Sequence, residues 1–282
     1  MLQDHTEINR KSWNEATLAH NSHKPNQAEF FLDGGSTLFP EEVGLLGDVK
    51  NKNICHLLCN SGQDTLSIAK LGANIVGVDI SDNAIEFATT LSKDSKIEAT
   101  FVRSEACSYL ESTEPNQFDV VFISYGAINW LPDINRLAQG IHKILKPGGR
   151  LIIVEFHPIL FIFDESTERV FPYTTSGTVL ENDVGVSDYV ARSEGCLNHG
   201  GEFAEGIVNF ENKYPCSEFA WGIGDILSSI LSSGLVLNDF KEYLHCNGFK
   251  PFDEMKASDD RTWTIEPNIP MMFSLVATKP AT

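Results

Sequence analysis

Between residues 53 and 156 short apolar runs alternate strictly with stretches of helical periodicity, and this alternation restricts the fold more than any other feature of the chain. Residues 53–58 (NICHLL), 74–80 (NIVGVDI), 98–104 (EATFVRS), 118–124 (FDVVFIS) and 151–156 (LIIVEF) read as five strands. Residues 64–73 place Leu66, Ala69 and Ala73 on one helical face, and Ala84, Phe87, Ala88 and Leu91 form the i, i+3, i+4, i+7 stripe of another. Ile134, Leu137, Ala138, Ile141 and Leu145 make a third face, closed by the turn Lys146-Pro147-Gly148-Gly149. A run such as FDVVFIS is apolar on both sides and needs cover on both. Strict alternation with right-handed crossovers then predicts an α/β fold: a Rossmann-like, mostly parallel sheet with helices on both faces.

Beyond Phe156 the pattern changes. Residues 157–218 carry no long helical stripe, only strand-like pieces at 178–180, 187–191 and 205–210. A stripe returns at 221–233 through Ile223, Ile226, Leu227, Ile230 and Leu231, and runs at 235–244 and 271–278 complete a seven-stranded sheet. The expected organisation is an amino-terminal cover of one or two short helices (1–45), a core (46–157 and 219–282), and an inserted lid after the fifth strand (158–218). Open α/β sheets bind ligands at the carboxyl ends of their strands, so the lid is expected to cover that crevice.

Composition narrows the partners. The chain has 39 acidic against 21 basic residues, a net charge of -18, and its longest basic cluster is Arg10-Lys11. Such a field repels a polyanion, which argues against nucleic acid. No run reaches the roughly 18 apolar residues of a membrane helix. The opening MLQDHTEINRKSWNE has no apolar centre of a secretory signal, so a cytoplasmic protein without a membrane partner is expected, as monomer or homodimer. Six cysteines form no C-x-x-C pair, and no metal is expected.

The first strand-to-helix loop is Leu58-Cys59-Asn60-Ser61-Gly62-Gln63-Asp64. A G-x-G-x-x-G fingerprint would need glycine at 58, 60 and 63, where the chain has Leu, Asn and Gln. Asn60 obstructs the backbone approach a pyrophosphate requires, which disfavours NAD. S-adenosylmethionine has no phosphate. It asks for a polar turn at its amino-acid tail, an acid for its ribose diol and an edge for its adenine. Asp79 ends the second strand seventeen positions after Gly62, placed to accept both ribose hydroxyls. Glu105 follows the third strand, where an acid accepts from the adenine amine, and Ile80 packs on the adenine face.

The segments HLLCNSGQDTLSIAKLGANIVGVDIS, FDVVFISYGAINWL and ILKPGGRLIIVEFHP together resemble the class I S-adenosylmethionine-dependent methyltransferases. The likeness is greatest to the small-molecule branch that includes quinone-pathway enzymes. It covers 53–156 strongly and 219–278 more loosely, and SWNEATLAHNSHK resembles the amino-terminal cover of a bacterial subgroup. The resemblance implies S-adenosylmethionine as cofactor, S-adenosylhomocysteine as product, and contacts from Leu58, Asn60, Ser61, Gly62, Gln63, Asp79, Ile80, Glu105, Ala106 and Ser124. Two departures stand out. The acid usual near the end of the first strand is His56, and Leu58 and Asn60 replace two glycines of the turn.

Methyl transfer asks little of the protein. The acceptor lone pair must lie in line with the S–CH3 bond in a site cleared of water, and a base helps only when the acceptor arrives protonated. The expected reaction is in-line transfer to nitrogen or oxygen of a small molecule. A protein methyltransferase and a non-catalytic binder of S-adenosylmethionine or S-adenosylhomocysteine are the alternatives. Candidate catalytic residues are His157, whose ordinary pKa suits proton transfer, Tyr125 and Glu155, all at strand ends. Tyr125 and Trp130 offer π faces to a sulfonium. Trp13, His23, Trp130, Tyr189, His199 and Trp221 are the candidate acceptor-pocket residues.

Overall fold

The computed structural model describes residues 2–164, 166–193, 195, 197, 203–259 and 261–281. The chain opens with helices α1 (Leu2–Ser22), α2 (Gln27–Leu32) and α3 (Pro40–Leu46). The alternating core follows as β1 (Asn53–Leu57), α4 (Gln63–Lys70), β2 (Asn74–Asp79), α5 (Asp82–Ser95), β3 (Thr100–Arg103), α6 (Ala106–Ser112), β4 (Phe118–Ser124), α7 (Ile134–Ile144) and β5 (Leu145–Phe156). Two short strands and a single helical turn come next: β6 (Leu180–Asn182), α8 (Tyr189–Arg192) and β7 (Cys216–Glu218). The remainder is α9 (Ile223–Ser232), β8 (Val236–Tyr243), β9 (Cys246–Asn247), β10 (Lys256–Ala257), β11 (Thr262–Thr264) and β12 (Met272–Thr278).

Seven strands form one sheet in the order β3-β2-β1-β4-β5-β12-β8. The first five run parallel, and β12 lies antiparallel between β5 and β8. This is the Rossmann-like sheet the alternation predicts. The apolar faces of α6, α7 and α9 pack on one side of it, around Leu110, Ile141 and Ile230. On the other side α3 and α4 bring Leu46 and Ile68 against Ile54, Phe122 and Val154. Local signals set the helix starts: Ser81 caps α5 by accepting from the Ala84 amide, and Asp133 caps α7 by accepting from Arg136.

Several expectations fail. The amino-terminal segment holds one helix of 21 residues and two short ones, not one or two short helices. The piece at 187–191 ends in the helical turn α8, capped by Asp188, and 205–210 forms no strand. The strand at 178–180 lies two residues later, as β6 paired with β7. Lys146–Gly149, read as a turn, sits inside β5, where pairing with β4 jumps from Phe118–Leu145 to Val120–Arg150. Between β8 and β12 the chain builds a three-stranded sheet, β10-β11-β9, over its own apolar cluster of Phe252, Met255 and Trp263.

Candidate functional site

The carboxyl ends of β1, β2 and β4 open into a cavity of about 570 Å³. Its walls include α1 and the segment after it, residues 129–132, residues 182–192 with Leu197, residues 216–219, and Asn247 with Phe249 beside the small carboxyl-terminal sheet.

The turn after β1 keeps the backbone of a glycine-rich loop with only one glycine. Leu58, Asn60 and Gly62 all have left-handed backbone, with φ of 54°, 47° and 76°. At Gly62 a Cβ would lie 2.7 Å from both the Ala88 side chain and the Phe101 ring, so glycine is required there. Asparagine tolerates this conformation, and the Asn60 Oδ1 accepts from the Ser61 amide at 2.6 Å. Leucine has no such help, so Leu58 is strained. Both Leu58 and Asn60 line the cavity.

Asp79 lines it too. Its Oδ2 accepts from the Asn60 amide at 2.8 Å and its Oδ1 from the Ser81 amide at 2.9 Å. Burial pushes its carboxyl up while these amide bonds pull it down. Each carboxylate oxygen retains capacity to accept from a ligand hydroxyl. Ile80, Ala106, Gln63 and Ser124 border the same space. Glu105 borders it as well, yet its carboxylate caps α6 by accepting from the Cys107 and Ser108 amides at 2.8 and 2.7 Å. Ser61 and Gly62 lie behind the wall: the Ser61 hydroxyl accepts from Asn21 Nδ2 at 2.8 Å and donates to Asn60 Oδ1.

His20, Trp130 and Tyr189 gather around Trp13 at the roof. Ring centroids are 5.2 Å apart for Trp13–Trp130 and 4.2 Å for His20–Tyr189. Another part of the lining is more polar, with His56, Thr37, Asp64, Tyr125 and Asn247 among phenylalanines 39, 156 and 249. Thr37 donates to Asp64 at 2.5 Å, and Asn247 Nδ2 donates to the Tyr125 hydroxyl at 3.1 Å. Burial holds the imidazoles of His20 and His56 down to about 4, so both are neutral at pH 7. It also pushes the Tyr125 phenol well up.

Other expected site residues stand elsewhere. His157 does not reach the cavity: its Nδ1 accepts from the Ile159 amide at 3.2 Å and its Nε2 faces Glu242 at 3.0 Å. Glu155 is also behind the wall. Its carboxylate accepts from the amides of Gly126, Ala127, Ile128 and its own neighbour Phe156. It shapes the loop that carries Tyr125 into the cavity with a φ of 41°. Trp221 packs in the core and donates from Nε1 to the Leu131 carbonyl at 2.8 Å. His23 pairs with Asp188 at 2.8 Å behind the wall, and His199 lies outside the described residues.

His20, Lys24, Phe39, Asn247 and Phe249 line the cavity too and are not among the candidates the sequence offers. His20 lies on α1 and Lys24 two residues beyond its end, so no helical spacing links them. Nothing local announces Asn247 or Phe249.

Residues 56–153 match the family model described as a methyltransferase domain. The chain is 32% identical over 131 residues to a demethylmenaquinone methyltransferase of Lactococcus lactis, covering 45% of this chain and 51% of that protein. It is 24% identical over 186 residues to a ubiquinone/menaquinone biosynthesis C-methyltransferase of Shewanella oneidensis, covering 64% of each. The chain thus spans about half to two thirds of the length of these curated relatives. Among solved structures, an S-adenosylmethionine-dependent methyltransferase from Mesorhizobium loti superposes with a TM-score of 0.54 at 18% identity, over 88% of this chain and 99% of that one. That likeness shows the fold.

Proposed function

We propose, for a chain whose residues 56–153 belong to the class I S-adenosylmethionine-dependent methyltransferases, that the cavity binds this cofactor and a small aromatic methyl acceptor together. The observation that carries the reading is Asp79. It lines the cavity beside a turn that keeps glycine-loop backbone. Asp79 receives the ribose hydroxyls, Ile80 and Ala106 flank the adenine, and the polar turn at 58–63 lies toward the amino-acid end. Glu105 stays on its helix and borders the adenine without serving as a dedicated acceptor.

When bound, S-adenosylmethionine supplies a methyl group on a sulfonium that leaves without protonation. The protein's part is to orient an acceptor and exclude water. Trp13, Trp130 and Tyr189 do both at the roof, with π faces toward positive charge. Phe39, Phe156 and Phe249 form the sides of an acceptor compartment suited to a flat ring, and Tyr125, fixed by Asn247, gives that compartment a polar contact. A concave space of about 570 Å³ favours a small acceptor over a polypeptide. The quinone-pathway names of the relatives support an aromatic acceptor, and one of those names specifies carbon. The methyl group is therefore assigned to nitrogen, oxygen or an electron-rich ring carbon of such a molecule.

The test is calorimetry with S-adenosylhomocysteine, with NAD as control. Micromolar binding of the first and none of the second is expected. Asp79→Ala should weaken it by about 1.5–3 kcal/mol, the scale of hydrogen bonds to a charged group. Transfer of labelled methyl to a dihydroxynaphthalene separates an enzyme from a mere binder. Binding of NAD, or of neither ligand, would overturn the reading.

A further inference from the structure

In a glycine turn, a ligand comes close to bare backbone because no side chain intervenes. Here Leu58 and Asn60 occupy two such positions and both line the cavity, so a charged ligand end needs other partners. The end of α1 is bolted over this turn. Asn21 Nδ2 donates to Ser61 Oγ at 2.8 Å, and Gln63 Nε2 donates to Asn21 Oδ1 at 3.2 Å. His20 and Lys24 flank Asn21, and both line the cavity.

Each offers the cavity a polar side-chain atom. His20 is 2% exposed, and its Nε2 lies 2.9 Å from the Ser187 carbonyl oxygen. A carbonyl only accepts, so Nε2 carries the hydrogen and Nδ1 bears a lone pair. Among the described residues that Nδ1 has no hydrogen-bond partner. Burial keeps the ring neutral and so keeps the lone pair available. The half-buried Lys24 faces the charges of Asp64 and Asp188, but neither forms an ion pair with it. Asp64 accepts from Thr37, and Asp188 pairs with His23. An acceptor and a cation four residues apart, both over the turn, match a zwitterion.

We propose that the end of α1, in place of the glycine turn, holds the amino-acid tail of the cofactor. His20 Nδ1 accepts from the tail ammonium and Lys24 Nζ donates to the tail carboxylate. This rests on the reading that the cavity binds S-adenosylmethionine.

The experiment compares two ligands, S-adenosylhomocysteine and 5′-methylthioadenosine, which share the nucleoside while the second lacks the tail. Calorimetry on the whole chain should show tighter binding of the first. Lys24→Met and His20→Phe should each weaken it roughly ten- to hundredfold, with 5′-methylthioadenosine changed less than about twofold. Lys24→Arg should recover most of the loss. Unchanged 5′-methylthioadenosine affinity certifies that a variant is folded, and Lys24→Met carries the test should His20→Phe not fold. Variants that lose affinity for both ligands alike, or for neither, would overturn the tail assignment and leave the cofactor reading standing. Failure of the wild-type chain to bind either ligand would overturn both.

Discussion

Glu155 ends a core strand next to the cavity, but four amides converge on its carboxylate. Three belong to the consecutive residues Gly126, Ala127 and Ile128, so this one side chain sets the loop behind Tyr125 and holds that tyrosine in left-handed backbone. Glu155→Ala would leave buried amides unpaired at about 1–3 kcal/mol each, and a loss of about 3–5 kcal/mol in urea unfolding is expected. Glu155→Gln keeps one acceptor oxygen and should lose clearly less. A group acting only as a base would show the reverse: intact stability with turnover gone. Asp79 was legible in the sequence because a residue closing a strand before a helix opens on the crevice by topology alone. Glu155 and His157 were legible only as strand-end residues. Which neighbouring amides claim their polar atoms depends on the loops at 125–128 and 158–162, and residue type does not reveal that.

At the scale of elements, the core strands and helices could be read because burial on one or both faces imposes a period on the sequence. The length of α1 escaped because its buried face is made of Asn9, Ser12, Ala16, Thr17, Ala19 and His20, small or polar residues that leave no apolar stripe. Hydrogen bonds dock the helix instead. Asn9 exchanges bonds with the backbone of Ser217 in β7, and Asn14 Oδ1 accepts from Ser81 Oγ at 2.7 Å at the start of α5. The small sheet of β9, β10 and β11 escaped for a related reason: strands of two or three residues are too short to show alternation. Because α1 and residues 186–189 line one cavity, S-adenosylhomocysteine should slow amide hydrogen exchange in both together. Asn14→Ala should speed exchange in α1 by about 1–2 kcal/mol of local stability and leave β1, β4 and β5 unchanged. Exchange rising equally in those three strands would mean that α1 is part of the global folding unit and not a separately docked cover.

For the molecule as a whole, the net charge of -18 was plain from composition, but the distribution of its titratable groups was not. Buried Glu42, Asp79 and Glu155 have carboxyls pushed up by burial, so their contribution falls as pH rises through the folded values. Glu41 is held down to about 2 by its bond to His245 and contributes in the opposite sense, losing its share as pH falls. His56 can be isolated from this mixture. Burial lowers its imidazole from 6.5 to about 4, so between those values the unfolded chain binds the extra proton. Stability must then fall as pH falls through that window, by about 3 kcal/mol from this residue alone, and level off below about 4. His56→Gln removes the titration while keeping a polar side chain beside Thr65. Urea unfolding of both proteins at pH 7, 5.5 and 4 should show the variant closing on the wild type, or overtaking it, by about that amount as pH drops. A difference that stays constant across the three pH values would mean that His56 titrates alike in both states, and that the cavity beside it admits enough water to solvate a charged imidazole.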